Sequence, residues 1–141
     1  MATVTAPIGP IDGRGLVAQR AADAMLRSLG ATQITVRVAQ PPVGGTNNEL
    51  GMTSSGFEDV TLWPAAVRST AMAANETVQV EALVSASAAI AAATAHGSDD
   101  VATWLLEAHG LLYGNRLLHI DAVTVDHFAG LEYLYHIRAS E

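Results

Sequence analysis

The sequence predicts a mainly β fold: a small antiparallel β-barrel or sandwich with an N-terminal helix and a short Ala-rich helical insertion. Two observations carry this. Stretches 33–38, 76–84 and 131–138 alternate apolar and polar side chains, the period of a half-buried strand. The C-terminal third also holds two turn-like pairs, Gly114-Asn115 and Ala129-Gly130, which join adjoining hairpins.

Residues 1–15 hold two prolines and three glycines and read as a flexible N-terminal arm. Residues 16–141 then read as one domain. Its first element is a helix over 16–29, with Ala18, Ala22, Met25 and Leu29 on the core stripe and Gly30 as the stop. Residues 33–38 follow as a strand, with Ile34, Val36 and Val38 on one face. Residues 40–56 carry two prolines, four glycines and the polar cluster Thr46, Asn47, Asn48 and Glu49. A loop of that length inside one domain is usually functional.

Residues 59–69 read as a strand broken near Pro64, which is expected at an edge or a bend because proline donates no ladder hydrogen bond. The strand 76–84 sets Val78, Val80 and Ala82 against Gln79 and Glu81. Residues 85–95 read as an Ala-rich helix, and Ser98-Asp99-Asp100 caps a second helix over 101–108. Strands 110–114, 116–125 and 131–138 end the chain.

The length, 141 residues, suits a single domain with its own core. Half the residues are hydrophobic, but many are Ala and only 5% are aromatic, so the core is thin for its apolar fraction. No cysteine is present, which excludes disulfides, thiolate metal sites and cysteine nucleophiles. Net charge is −7 and every basic residue is Arg. A chain-wide basic footprint for nucleic acid is therefore missing. The first fifteen residues lack the pattern of a signal peptide, and the apolar run near 82–95 is too short for a membrane helix.

No nucleophile elbow, zincin helix, Walker loop or dinucleotide fingerprint occurs. His119 and His136 fall on C-terminal strands with Asp121 and Asp126 nearby, a set that could hold zinc. No i,i+4 pair or fixed ligand spacing supports that site, so satisfied or exposed strand histidines are the better account. Asp126 and His127 are adjacent on a strand and point to opposite faces. Ser85 and Ser87 read as small spacers, and Trp63 and Trp104 as core anchors. No catalytic, cofactor-binding or metal-ligating residue is assigned.

Three stretches resemble the head–tail connector family of tailed phages, in particular its stopper or head-completion proteins. They are the strand ITVRV with its following loop, the segment FEDVTLWPAAVRS, and the ending LLYGNRLLHIDAVTVDHFAGLEYLYHIRASE. The second is similar to the family's W…V-W-A-x-V, and the third to its closing hairpins with Y-G-G-R-x-Y-x-I-x-x-V. The long Ala-rich segment 85–108, the N-terminal helix and Pro64 after the Trp depart from the pattern. They leave stopper, adaptor and tail-side positions open.

The resemblance implies a structural, non-enzymatic virion protein of the neck, assembled in the host cytoplasm. It implies a homo-oligomeric ring, sixfold or twelvefold, that contacts the portal or adaptor protein and the tail proteins. Packaged DNA would pass through its channel without sequence specificity, and no cofactor or membrane is involved. Thr46, Asn47, Asn48 and Glu49 are then the candidate assembly loop, mobile in the free monomer and fixed in the ring. Exposed strand edges would be available to neighbouring subunits. Two rivals from other classes remain: a small β-barrel metal-dependent enzyme or ligand-binding protein using His119, His136 and a carboxylate, and a capsid decoration protein.

Overall fold

A computed structural model describes residues 13–29, 32–39, 56–72 and 77–141. Nine elements follow in order: α1 (Gly13–Ser28), β1 (Thr32–Ala39), β2 (Phe57–Met72), β3 (Thr77–Ser85), α2 (Ala86–Ala95), α3 (Val101–Leu106), β4 (Gly110–Tyr113), β5 (Arg116–Phe128) and β6 (Leu131–Ser140). The six strands close into a barrel in the order β1-β2-β3-β6-β5-β4, with every neighbouring pair antiparallel.

The alternation in the sequence becomes the inside and outside of this barrel. Ile34, Val36 and Val38 of β1, Val80, Ala82 and Val84 of β3, Leu118 and Ile120 of β5, and Tyr135, Ile137 and Ala139 of β6 share one buried core. Ala86, Ala89 and Ala93 of α2 and Val101, Trp104 and Leu105 of α3 belong to the same core. Side chains from outside a closed barrel reach its interior only at an open end. The two helices therefore plug one end, the end where β1 and β3 stop and β2, β4 and β6 begin. The Ala-rich composition of α2 suits this position, because small side chains let the helix sit close over the barrel mouth.

Pro64 was expected at an edge or a bend, and the edge does not exist in a closed barrel. β2 runs unbroken past it. Thr32 pairs with Ala65 and Ile34 with Leu62, so β2 spends an extra residue against β1. Pairing of β2 with β3 begins only at Ala65. The proline sits in that bulge, where no ladder hydrogen bond is asked of it. The Trp63-Pro64 peptide bond is cis. Closure also corrects the expectation of free strand edges: among the described strands each has a neighbour on both sides.

α1 lies across the outside of the sheet and buries Ala22 and Leu26 against Leu134, with Ala66, Leu83 and Tyr133 around them. This differs from the stripe read in the sequence. Ala22 is inside as expected, but Met25 and Leu29 are 46% and 65% exposed while Leu26 is fully buried. The helix also starts three residues early, so Gly13, Arg14 and Gly15 belong to it and not to the arm. Gly15 is a packing residue: a Cβ there would stand 2.8 Å from Leu131 Cβ. Gln19 Nε2 donates to the Glu132 carbonyl at 2.8 Å, and Ser87 Oγ donates to Asp23 Oδ2 at 3.1 Å. Ser85, read as a spacer, is the fully buried N-cap of α2, and its Oγ accepts from the Ala88 amide.

Candidate functional site

The candidate assembly loop, Thr46, Asn47, Asn48 and Glu49, lies outside the described residues, and so does nearly all of 40–56. Its two roots are described, at the plugged end of the barrel. Arg37 near the end of β1 and Asp59 near the start of β2 are a cross-strand pair joined by Nε–Oδ1 and Nη2–Oδ2 bonds of 2.8 and 3.1 Å. The same guanidinium lies 4.0 Å from the centroid of the Phe57 ring. The hydrogen bond from Arg37 holds the Asp59 carboxyl below its ordinary range and raises the Arg37 guanidinium in turn.

One residue before Asp59, Glu58 contacts His96 at the end of α2, with Nε2···Oε2 at 3.1 Å. His96 Nδ1 meets the Ala92 carbonyl at 2.9 Å, and its ring lies 5.5 Å from that of Trp104. The start of β2 is thus tied to β1 on one side and to the helical plug on the other. The plug offers a further polar hollow, of about 520 Å³, among Thr94, Ser98, Asp99, Asp100, Glu132 and Tyr135. Burial, reinforced by a hydrogen bond to Glu132, raises the Tyr135 hydroxyl well above the ordinary phenol range, which keeps it a donor.

The histidines singled out from the sequence are separated. His136 of β6 pairs across the strands with Thr124, whereas His119 of β5 pairs with Ser140. Asp126 does reach His136, with Oδ2 2.7 Å from Nε2. Asp121 instead accepts from Ser140 Oγ at 2.6 Å. Asp126 and His127 stay apart as read, and His127 faces Glu132 at 3.8 Å. Among the described residues no group of three metal-ligating side chains comes together.

His136 and Asp126 lie on the outer face of the barrel, both about two-fifths exposed. His136 opens onto a concavity of about 360 Å³ that also takes in Arg68, Glu81, Thr124 and Arg138. Arg68, Glu81 and Arg138 occupy one row across β2, β3 and β6, and Arg68 meets Glu81 at 3.2 Å. An imidazole–carboxylate pair in this setting can shuttle a proton or bind an anion, but among the described residues no hydroxyl nucleophile is hydrogen-bonded to it.

A second surface has the opposite chemistry. Val17, Ala18, Ala21 and Met25 of α1, with Phe128, Tyr133 and Leu134, line an apolar groove of about 500 Å³, and Arg14 stands on its lining too. Periodicity alone misplaced this face, because it put Met25 inside. Trp63, read as a core anchor, is 44% exposed with Arg27 over its ring at 4.5 Å. Trp104 is buried as expected.

No described helix is long and apolar enough to cross a membrane. Comparison with protein-family models, with curated proteins and with solved structures finds no match.

Proposed function

We propose that the chain is a structural subunit of the tailed-phage neck. In this reading it forms a homo-oligomeric ring, sixfold or twelvefold, between the portal or adaptor protein and the tail proteins. The ring closes the DNA exit after packaging and gives the tail a docking surface. The described parts of the motifs that resemble the connector family fall on β1, on β2 and on the hairpins β4–β5–β6. The observation that carries the proposal is the apolar groove along α1, which no described residue covers. An apolar groove bordered by polar side chains is the kind of surface that interaction sites use. The net charge of −7 adds to this, since an acidic channel wall repels phosphates and lets packaged DNA slide without sequence preference.

The test is direct. Phage particles lacking this chain should assemble heads that lose DNA and fail to join tails, and the purified chain should appear as closed rings by electron microscopy. Normal yields of infectious particles without it would reject the proposal.

One observation favours a second reading. His136 and Asp126 stand 2.7 Å apart beside Arg68 and Arg138. That arrangement suits a ligand-binding protein or a small β-barrel enzyme acting on an anionic molecule. Loss of binding or turnover on His136→Gln, with ring formation untouched, would support this reading over the neck.

A further inference from the structure

Strand register sets two rows of side chains on the outer face of β2, β3, β6 and β5. Ala66, Leu83, His136 and Thr124 lie in one row, and Arg68, Glu81, Arg138 and Ala122 in the next. Both rows line the concavity of about 360 Å³. Ala66 and Ala122 stand at opposite corners, and their short side chains leave the hollow that Arg68, Arg138 and His136 border.

The basic groups on this lining are not all spent. Glu81 lies between the two arginines of its row and is held by Arg68 at 3.2 Å. Among the described residues Arg138 has no hydrogen bond or ion pair, so the donors of its planar guanidinium are open to a ligand. His136 gives its Nε2–H to the Asp126 carboxylate at 2.7 Å, which fixes the ring and leaves Nδ1 for another partner.

We infer that this concavity binds a phosphate group, gripped by Arg138 and recognised by His136; the inference rests on the reading of the chain as a protein for an anionic molecule and names that molecule's class. A guanidinium fork fits any oxyanion with two bare oxygens. Nδ1 of His136 narrows the choice. As an acceptor it takes the proton of a phosphate hydroxyl, and as a donor it serves a bare phosphate oxygen. Near pH 6.5 a phosphate carries oxygens of both kinds, whereas sulfate and carboxylate offer only bare ones. Ala66, Leu83 and Ala122 add an apolar floor on which the organic part of a phosphate monoester can rest.

The experiment titrates the full chain at pH about 6.5 and constant ionic strength with inorganic phosphate, phenyl phosphate, sulfate and acetate, followed by calorimetry and amide NMR shifts. Phosphate should bind with a Kd of about 1 mM or tighter, and at least about threefold more tightly than sulfate although sulfate bears the greater charge. Phenyl phosphate tighter than inorganic phosphate identifies a monoester as the occupant, equal affinity identifies free phosphate, and either supports the site. Arg138→Gln should weaken binding at least about tenfold. Glu81→Gln, which removes an opposing charge and frees Arg68, should tighten it about threefold. His136→Ala should abolish the preference for phosphate over sulfate. Arg138, Glu81 and His136 lie on the outer face, so each variant should keep the wild-type far-UV circular dichroism, and phosphate affinity unchanged in Arg138→Gln would overturn the inference. Sulfate or acetate bound as tightly as phosphate would also overturn it and leave the broader anion reading standing. No binding of any of the four at about 20 mM would overturn both, with the neck reading untouched.

Discussion

Arg37 and Asp59 face each other across β1 and β2, and the guanidinium grips both carboxylate oxygens, at 2.8 and 3.1 Å. The pair spans the two roots of the 40–56 segment and packs over Phe57. It pulls the Asp59 carboxyl below its ordinary value of 3.8. A carboxyl lowered in the folded state contributes stability above its ordinary titration range and loses it as pH falls through the lowered value. Asp100, held down by hydrogen bonds from the Thr103 side chain and amide, acts in the same direction. Thermal melts of wild type should therefore fall as pH drops from about 5 to 2, and Asp59→Asn should flatten part of that fall while changing little of the pH profile between about 6 and 8. An unchanged acid profile in Asp59→Asn would show that the pair is solvated and idle.

The buried stripe of α1 can be checked residue by residue. Leu26 is fully enclosed with Ala22 and Leu134, so Leu26→Ala should cost about 2–5 kcal/mol. Met25→Ala and Leu29→Ala, at exposed positions, should each stay within about 0.5 kcal/mol in the free monomer. Chemical denaturation of the three variants reads this directly, and equal costs at positions 25 and 26 would contradict the packing described.

Two backbone positions make opposite predictions. A Cβ on Gly110 would lie 2.4 Å from the Leu118 carbonyl oxygen, so Gly110→Ala must part β4 from β5 and should destabilise by about 1–3 kcal/mol. Ala129 sits in the β5–β6 turn at φ 53°, followed by Gly130 at φ 79°, the two-residue hairpin pattern that glycine fits. Ala129→Gly should raise stability by up to about 1 kcal/mol. Denaturant midpoints should move in opposite directions for the two variants.

His119→Gln and His136→Gln test whether the outer face carries chemistry. The His136–Asp126 pair is half open to water, so its loss should cost less than about 1 kcal/mol. Folding and ring assembly should persist in both variants. Stoichiometric zinc in the purified wild type, lost on either substitution, would overturn the structural reading in favour of a metal site.

Replacing Val43–Ser54 by a short Gly-Ser linker tests the remaining sequence-level expectation. The barrel should fold with its Arg37–Asp59 and Glu58–His96 contacts in place, while heads should fail to retain DNA or to join tails. Heads that package and join tails at normal yield would show the segment, with Asn47 and Asn48, to be dispensable.

Strand content and the inward faces of β1, β3 and β6 were legible in the sequence. Period-two alternation is a local signal that survives whatever packs against it, and Ile34, Val36, Val80 and Ile137 all point where it placed them. The caps at Asp100 and the turns at Gly114 and Ala129-Gly130 were legible for the same reason. Closure of the barrel was not, because it depends on β4 finding β1 and β6 finding β3 across long stretches of chain. Pro64 was legible as a bend, which the bulge bears out, and misled only as an edge: an edge is a property of the sheet, and among the described strands the sheet has none. The stripe of α1 misled because Ala is indifferent to burial, so only the docking of the helix on Leu134 decided that Leu26 goes in and Met25 stays out. The histidines stood in view throughout, yet only strand register could pair His136 with Asp126 and set His119 aside against Ser140. Local chemistry thus determined the elements by itself, whereas the groove, the plug and the dyad came from register and helix docking, which bring together residues that no short window of sequence contains.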